Sequence, residues 1–162
     1  MRLGIVSDTH GQVESTRVAV RMLDSLQVEH VLHCGDIGSA EVVEQFAPWP
    51  TDFVLGNCDY HPERLQAAII GAGKTYHGAF GELQLGGKRI ALLHGDDRGK
   101  FREATESGQW DLVCYGHSHV AKIDRRGRTL IVNPGALHRA TPYSLAIVDL
   151  QQLKASIITL WF

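Results

Sequence analysis

The sequence lacks the features that mark membrane proteins and nucleic-acid coats. No uninterrupted apolar stretch approaches the ~20 residues that a helix needs to span a bilayer. Its 16 Lys and Arg residues do not exceed its 18 Asp and Glu residues, whereas proteins that coat nucleic acid or bind membrane surfaces normally carry a basic surplus. We therefore expect neither nucleic acid nor a membrane among the partners.

Cysteine is scarce, and no targeting leader is evident. The three cysteines, Cys34, Cys58 and Cys114, are odd in number and show no tight pairing pattern, which favours reduced thiols. The chain begins directly with the apolar run Leu3 to Val6 and not with a basic and then apolar leader. These absences predict a cytoplasmic protein.

Repeats, low-complexity tracts and linkers are also absent. A chain of 162 residues is long enough for one domain with its own core and short for two. We expect a single domain over residues 1–162.

What the sequence does contain is a set of short apolar runs with the composition of buried strands. Five of these runs are Leu3 to Val6, Val31 to Cys34, Phe53 to Leu55, Ile90 to Leu93 and Leu112 to Tyr115. In the first half they alternate with helical patterns, one capped by Ser15 and running to about Gln27, one from about Ala40 to Phe46 and one opened by Pro62. Hairpins around one more helix, Arg98 to Ser107, follow in the second half.

Each of the five runs is closed by a polar fragment that carries metal-ligand side chains. The fragments are Asp8-Thr9-His10, Gly35-Asp36, Gly56-Asn57-Cys58-Asp59, His94-Gly95 and Gly116-His117-Ser118-His119. Ligands gather beyond the carboxyl ends of strands in open α/β sheets, so we expect these side chains to converge. Their mixed oxygen and nitrogen donors favour manganese, iron, zinc or nickel over magnesium.

These fragments, in this order and with Asn133-Pro134-Gly135, resemble the calcineurin-like metallophosphoesterase superfamily. The similarity extends over nearly the whole chain and is strongest to the small bacterial and archaeal phosphodiesterase branch. It implies an α/β fold in which two mixed β-sheets pack as a sandwich flanked by helices.

The resemblance also implies a dinuclear metal site and an activity. One metal takes Asp8, His10, Asp36 and His119, and the other takes Asp36, Asn57, His94 and His117, so that Asp36 is shared. Asp36, Asn57 and His94 also form the implied catalytic set. The cofactors are two divalent transition-metal ions, manganese first, with nickel, iron, zinc and cobalt as alternatives. The implied reaction is hydrolysis of a small phosphate ester by a hydroxide that bridges the metals. A diester is favoured over a monoester, and the choice between them stays open.

Two positions depart from the wider superfamily. Cys58 stands where many members carry a His that protonates the leaving group, and a thiol with an ordinary pKa of about 8.5 replaces it poorly. We therefore expect leaving groups that need little protonation. Asp96 stands where the branch often has a second His, and its effect on the substrate pocket is open.

A second function is compatible with the same fold, namely a non-catalytic protein-binding scaffold such as the resembling retromer subunit. Retention of all seven ligand residues favours the enzyme. Residues just beyond the motifs are interpreted as solvated, with substrate contact as the alternative: Tyr60, His61, His138 and Arg139. His30 and His77 are predicted to be surface or strand-edge residues, and homo-oligomerisation and the natural substrate stay open.

Overall fold

The computed structural model describes all 162 residues. None of its helices is long and apolar enough to cross a membrane. The elements follow one another in the order β1 (Arg2–Val6), α1 (Val13–Ser25), β2 (His30–His33), α2 (Ala40–Glu44), β3 (Thr51–Phe53), α3 (Pro62–Gly71), β4 (Thr75–Tyr76), β5 (Phe80–Leu85), β6 (Lys88–Leu93), α4 (Arg98–Glu106), β7 (Leu112–Cys114), β8 (Lys122–Arg126), β9 (Thr129–Asn133), β10 (Tyr143–Asp149) and β11 (Lys154–Leu160).

The strands form two mixed sheets. The first sheet has six strands in the order β11-β10-β1-β2-β3-β4, and the second has five in the order β5-β6-β7-β9-β8. Strands β1 to β4 run parallel, and β10 and β11 extend that sheet antiparallel. In the second sheet β6, β7 and β9 are parallel, and antiparallel β5 and β8 lie at its edges. This architecture confirms the expected α/β fold with two mixed sheets.

The sheets pack face to face, and helices cover their outer faces. Leu3 and Ile5 of β1 meet Ile90 and Leu92 of β6 in one buried cluster between the sheets. The opposite face of the first sheet packs against α1, α2 and α3 through a second cluster that includes Leu23. A third cluster joins the second sheet to α4. Central strands buried on both faces explain why their sequences are continuous apolar runs.

One local prediction is wrong, and two features of the structure were not predicted. Ser15 does not cap α1, which begins at Val13; its hydroxyl donates instead to the Leu137 carbonyl at 2.7 Å. The two-residue strand β4 was not predicted, because Thr75–Tyr76 is too short to show a period. His30 and His77 are partly buried, and both bind the carboxylate of Asp52.

Candidate metal centre

The polar fragments meet at one end of the sandwich because they follow the carboxyl ends of β1, β2, β3, β6 and β7. Main-chain hydrogen bonds join the resulting loops. Asp8 N donates to Gly35 O at 3.0 Å, and Gly116 N donates to His94 O at 2.9 Å. These bonds tie together the loops of each sheet, and His117 N, which donates to Asp8 Oδ2 at 3.1 Å, joins the two sets of loops around a common centre.

Two buried carboxylates occupy that centre. One oxygen of Asp36, Oδ2, lies 3.4 Å from His10 Nε2 and 3.2 Å from His94 Nε2. Asp8 Oδ1 lies 3.1 Å from His119 Nε2 and 3.6 Å from His10 Nε2. Asp36 therefore stands between two imidazoles, in the position expected of a shared ligand.

The remaining two predicted ligands lie beside this group. His117 Nδ1 is 3.1 Å from the Asn57 side-chain oxygen, and the His117 ring packs edge-on against the His94 ring with centroids 5.2 Å apart. All seven predicted residues thus come together at one site. Their role as metal ligands stays a prediction.

The backbone turns these side chains inward by adopting left-handed conformations. Five of the eight non-glycine residues with positive φ are predicted ligands: Asp8 at 54°, His10 at 44°, Asp36 at 54°, His117 at 70° and His119 at 60°. Such conformations cost about 1–3 kcal/mol each and persist where the surrounding structure imposes them, often at functional sites. They explain how ligands two residues apart face one centre.

Main-chain carbonyls orient two of the imidazoles. His94 Nδ1 lies 2.8 Å from Cys34 O, and His119 Nδ1 lies 3.3 Å from Arg139 O. A carbonyl only accepts, so each Nδ1 carries the hydrogen, and each Nε2 presents a lone pair to the carboxylates when the ring is neutral. Histidine ligands in metalloproteins are oriented in the same way.

Three buried polar residues hold the loops and were not assigned this role from the sequence. Asp59 accepts hydrogen bonds from the main-chain nitrogens of Ile37, Gly38 and Gly56 at 3.2, 3.0 and 2.9 Å. Ser7 Oγ donates to Asp8 Oδ2 at 2.6 Å. The Asn133 amide donates to the Gly116 carbonyl at 2.9 Å and to Ser118 Oγ at 3.1 Å. All three lie within or beside the quoted motifs, and that proximity was the only sequence signal.

The electrostatics of the centre favour positive charge. Burial raises the pKa of Asp36, but the adjacent His94 imidazole, helped by Cys58 N and His10, outweighs it and lowers the pKa to about 2. Burial lowers the pKa of His94, but the Asp36 and Asp8 carboxylates outweigh it and raise the pKa. Two carboxylates in a buried site attract either a proton or a metal cation.

The residues fit divalent metal ions. Asp8 Oδ1, His10 Nε2 and His94 Nε2 are buried without a hydrogen-bond partner, an arrangement that costs about 1–3 kcal/mol per atom unless something binds them. Donor atoms lie within 4.8 Å of one another in three groups: Asp8, His10 and His119; Asp8, Asp36 and His94; and His10, Asp36 and Cys58. The first two groups contain only predicted ligands, while the third adds Cys58.

A cavity of about 520 Å³ opens above this centre, and its rim carries a guanidinium. Arg139 lines it beside His138, whose ring lies 5.1 Å from that of His10. The arginines in ion pairs are Arg17, Arg89, Arg126 and Arg128, so the charge of Arg139 is not engaged by a carboxylate. Another cavity, of about 390 Å³, lies beside α4 and contains none of the predicted site residues.

Known proteins share the fold and the sequence pattern. Residues 1–153 match the calcineurin-like phosphoesterase superfamily domain. The chain is 28% identical over 138 residues to phosphodiesterase MJ0936 of Methanocaldococcus jannaschii, covering 83% of each protein. It is 28% identical over 168 residues to the probable metallophosphoesterase YsnB of Bacillus subtilis, covering 97% of this chain and 89% of the relative. A structure described as a novel archaeal phosphodiesterase superposes with a TM-score of 0.91 at 26% identity, over 99% of this chain and 100% of the other.

Proposed function

The chain belongs to the calcineurin-like phosphoesterase superfamily, and we propose that it is a hydrolase that cleaves small phosphodiesters with two divalent metal ions. The printed functions of the similar proteins, phosphodiesterase and probable metallophosphoesterase, support this reaction class. One observation carries the dinuclear assignment: a single Asp36 oxygen lies within 3.4 Å of both His10 Nε2 and His94 Nε2.

The proposed ligand sets divide the site in two. Asp8, His10, Asp36 and His119 hold one cation, and Asp36, Asn57, His94 and His117 hold the other. The donor types favour transition metals, with manganese first and nickel, iron, zinc and cobalt as alternatives. When bound, such ions supply a water of lowered pKa and positive charge for the phosphoryl oxygens.

The chain's own residues have separate tasks in this proposal. Asp36 is held in place by a hydrogen bond that its Oδ1 accepts from Cys58 N at 2.8 Å. His94 is fixed by the Cys34 carbonyl, so that its Nε2 faces the centre. Arg139 at the cavity rim binds a non-reacting phosphoryl oxygen, because its guanidinium is exposed and unpaired and matches phosphate geometry.

The preference for diesters rests on the similarity to a phosphodiesterase and on Cys58. The nearby Tyr60 hydroxyl lowers the pKa of the Cys58 thiol, but burial and the Asp36 carboxylate outweigh it, and the pKa lies above the ordinary value. Such a thiol gives up its proton reluctantly at neutral pH. The proposal therefore favours substrates whose leaving group departs without a strong general acid.

Hydrolysis of bis(p-nitrophenyl) phosphate by the purified protein tests the activity. We expect turnover that Mn²⁺ or Ni²⁺ stimulates, and about two metal equivalents by elemental analysis. Asp36→Asn replaces the shared carboxylate with a neutral amide, which weakens both metal sites, and should abolish turnover and lower metal retention. Asp24→Asn on the exposed face of α1 is the control with the same chemical change. Undiminished turnover in Asp36→Asn contradicts the assignment.

The same measurements separate the enzyme from a protein-binding scaffold. A scaffold that keeps the fold without the chemistry would retain no metal and hydrolyse no ester. Retention of all seven ligand types, with buried unpartnered atoms among them, favours the enzyme.

We also propose that residues 1–162 form one domain and that the protein acts in the cytoplasm. The buried cluster shared by both sheets supports a single folding unit. The three free cysteines, two of them buried in the core, support a reducing environment. The proposed partner is a small phosphate ester, and neither nucleic acid nor a membrane is proposed.

A further inference from the structure

A side cavity adjoins the metal centre and is not used by the chemistry proposed above. It has a volume of about 190 Å³ and shares three lining residues, Gly38, Cys58 and Tyr60, with the metal-site cavity. The two cavities are therefore neighbours at Cys58 and Tyr60.

The side cavity is lined by one cationic side chain at the start of α3. Arg64 lines the cavity together with His61 and the apolar residues Ala40 and Leu65. Arg64 belongs to none of the ion pairs of the protein. Its guanidinium is therefore free to bind a ligand.

The one acidic residue of the side cavity is already engaged. Asp59 is 8% exposed, and its two oxygens accept hydrogen bonds from three main-chain nitrogens at 2.9 to 3.2 Å. These bonds compensate its charge and direct its lone pairs towards the loops. Arg64 thus provides the available charge of this cavity.

The size of the side cavity limits what it can hold. At about 190 Å³ it is smaller than the ~300 Å³ at which pockets for drug-sized ligands begin. It suits one small group, and a guanidinium binds carboxylates and phosphates through paired hydrogen bonds.

We propose that the side cavity is a specificity subsite, in which Arg64 binds an anionic group on the substrate arm that is not cleaved. The natural substrate is then a phosphodiester with a second negative group, a carboxylate or a phosphate, a few bonds from the scissile phosphorus. This inference rests on the proposed phosphodiesterase activity and adds the class of substrate.

Three chromogenic diesters of similar size test it. Each has p-nitrophenol as leaving group, and the second arm is 2-carboxyethyl, propyl or 2-trimethylammonioethyl. For the wild-type protein loaded with Mn²⁺, we expect kcat/KM about tenfold higher for the carboxyethyl ester than for the propyl ester, and lowest for the cationic ester. Arg64→Gln should remove this order by lowering kcat/KM for the carboxyethyl ester to that of the propyl ester.

Arg102→Gln is the matched control, because Arg102 is an exposed and unpaired arginine on α4, outside both cavities. Binding supplies a second readout: calorimetry should show tighter binding of 2-carboxyethylphosphonate than of propylphosphonate, and only Arg64→Gln should equalise them. Equal kcat/KM values for all three esters in the wild type would overturn the proposed subsite and leave the proposed activity standing. The same conclusion would follow if Arg64→Gln showed the same order of kcat/KM values as the wild type. If no ester is hydrolysed under any metal, the proposed function fails, and this inference fails with it.

Discussion

The Nδ1 atom of His94 lies 2.8 Å from the main-chain oxygen of Cys34. His94 follows β6 of the second sheet, and Cys34 follows β2 of the first, so this hydrogen bond crosses from one sheet to the other. It fixes which imidazole nitrogen faces Asp36. The metal centre is thus positioned by contacts that exist only when both sheets have packed, and a change at the junction should weaken metal binding without touching a ligand.

Gly116 offers such a change. A Cβ atom at this position would overlap Ser7 Oγ and lie 2.7 Å from Asp8 Oδ2. Gly116→Ala should displace the Asp8 carboxylate and lower metal affinity about 10–100-fold, the range seen when residues that orient metal ligands are changed. Metal titration followed by calorimetry measures the effect.

Gly71→Ala is the control, because a Cβ at the end of α3 meets nothing within 4 Å. It should bind metal as the wild type does. Equal affinities in Gly116→Ala and Gly71→Ala would show that the Ser7–Asp8 contact does not support the site.

Cys58 gives a prediction about leaving groups. It lines the metal-site cavity, and an imidazole there has an ordinary pKa of about 6.5, which suits proton donation at neutral pH. Cys58→His should raise kcat for an ester with an alkoxide leaving group about 100-fold relative to one with p-nitrophenolate. Comparison of the two esters measures this ratio. Cys58→Ser adds no acid and should leave the ratio unchanged; the same ratio in both variants would contradict the role of this position.

Arg139 gives a prediction about substrate binding. Its side chain lines the metal-site cavity, while its main-chain oxygen lies 3.3 Å from His119 Nδ1. Arg139→Gln keeps the carbonyl and removes the charge, so KM for bis(p-nitrophenyl) phosphate should rise about tenfold with metal content unchanged. Arg139→Lys retains the charge and should recover part of the loss. An unchanged KM in Arg139→Gln would assign the phosphate contact elsewhere.

The sequence was sufficient to predict the strands that carry the site, for a physical reason. Leu112 to Cys114 is buried on both faces and contains no polar residue, and Val31 to Cys34 contains only the buried His33, so both stand out as apolar runs. Polar residues that close such runs must lie at the strand ends. The convergence of Asp8, Asp36 and His94 follows from that placement together with the family resemblance.

Other features depend on relationships that a linear sequence does not show. The left-handed φ angles of His117 and His119 are imposed by loops such as the one that Asn133 holds. Histidine adopts this conformation more often than most residues do, but still in a small minority of cases, so its propensity does not predict these angles. The register that places Asp52 beside Leu32 was also not readable, and with it the contact between Asp52 and His30.

Asp52 gives a prediction about stability and pH. Its carboxylate is 5% exposed and accepts a hydrogen bond from His77 Nε2 at 2.6 Å and another from His30 Nε2. Burial raises the pKa of Asp52, but the hydrogen bonds to His30 and His77 outweigh it and hold the pKa below the ordinary value. A carboxyl with a lowered pKa in the folded state stabilises the fold above its unfolded pKa of about 3.9, and this contribution is lost as the pH falls through the folded value.

Asp52→Asn mimics the protonated carboxyl and should cost about 1–3 kcal/mol of unfolding free energy at neutral pH. Because the wild-type carboxyl itself becomes protonated in acid, the difference between wild type and variant should shrink below about pH 4. Urea denaturation at neutral pH, near pH 5 and near pH 3 measures both effects. Asp24→Asn, which changes an exposed carboxylate, should stay within about 0.5 kcal/mol of wild type throughout. If Asp52→Asn were less stable than wild type by the same unfolding free energy at neutral and at acid pH, the loss would come from poor packing or hydrogen bonding of the Asn side chain and not from the lost charge.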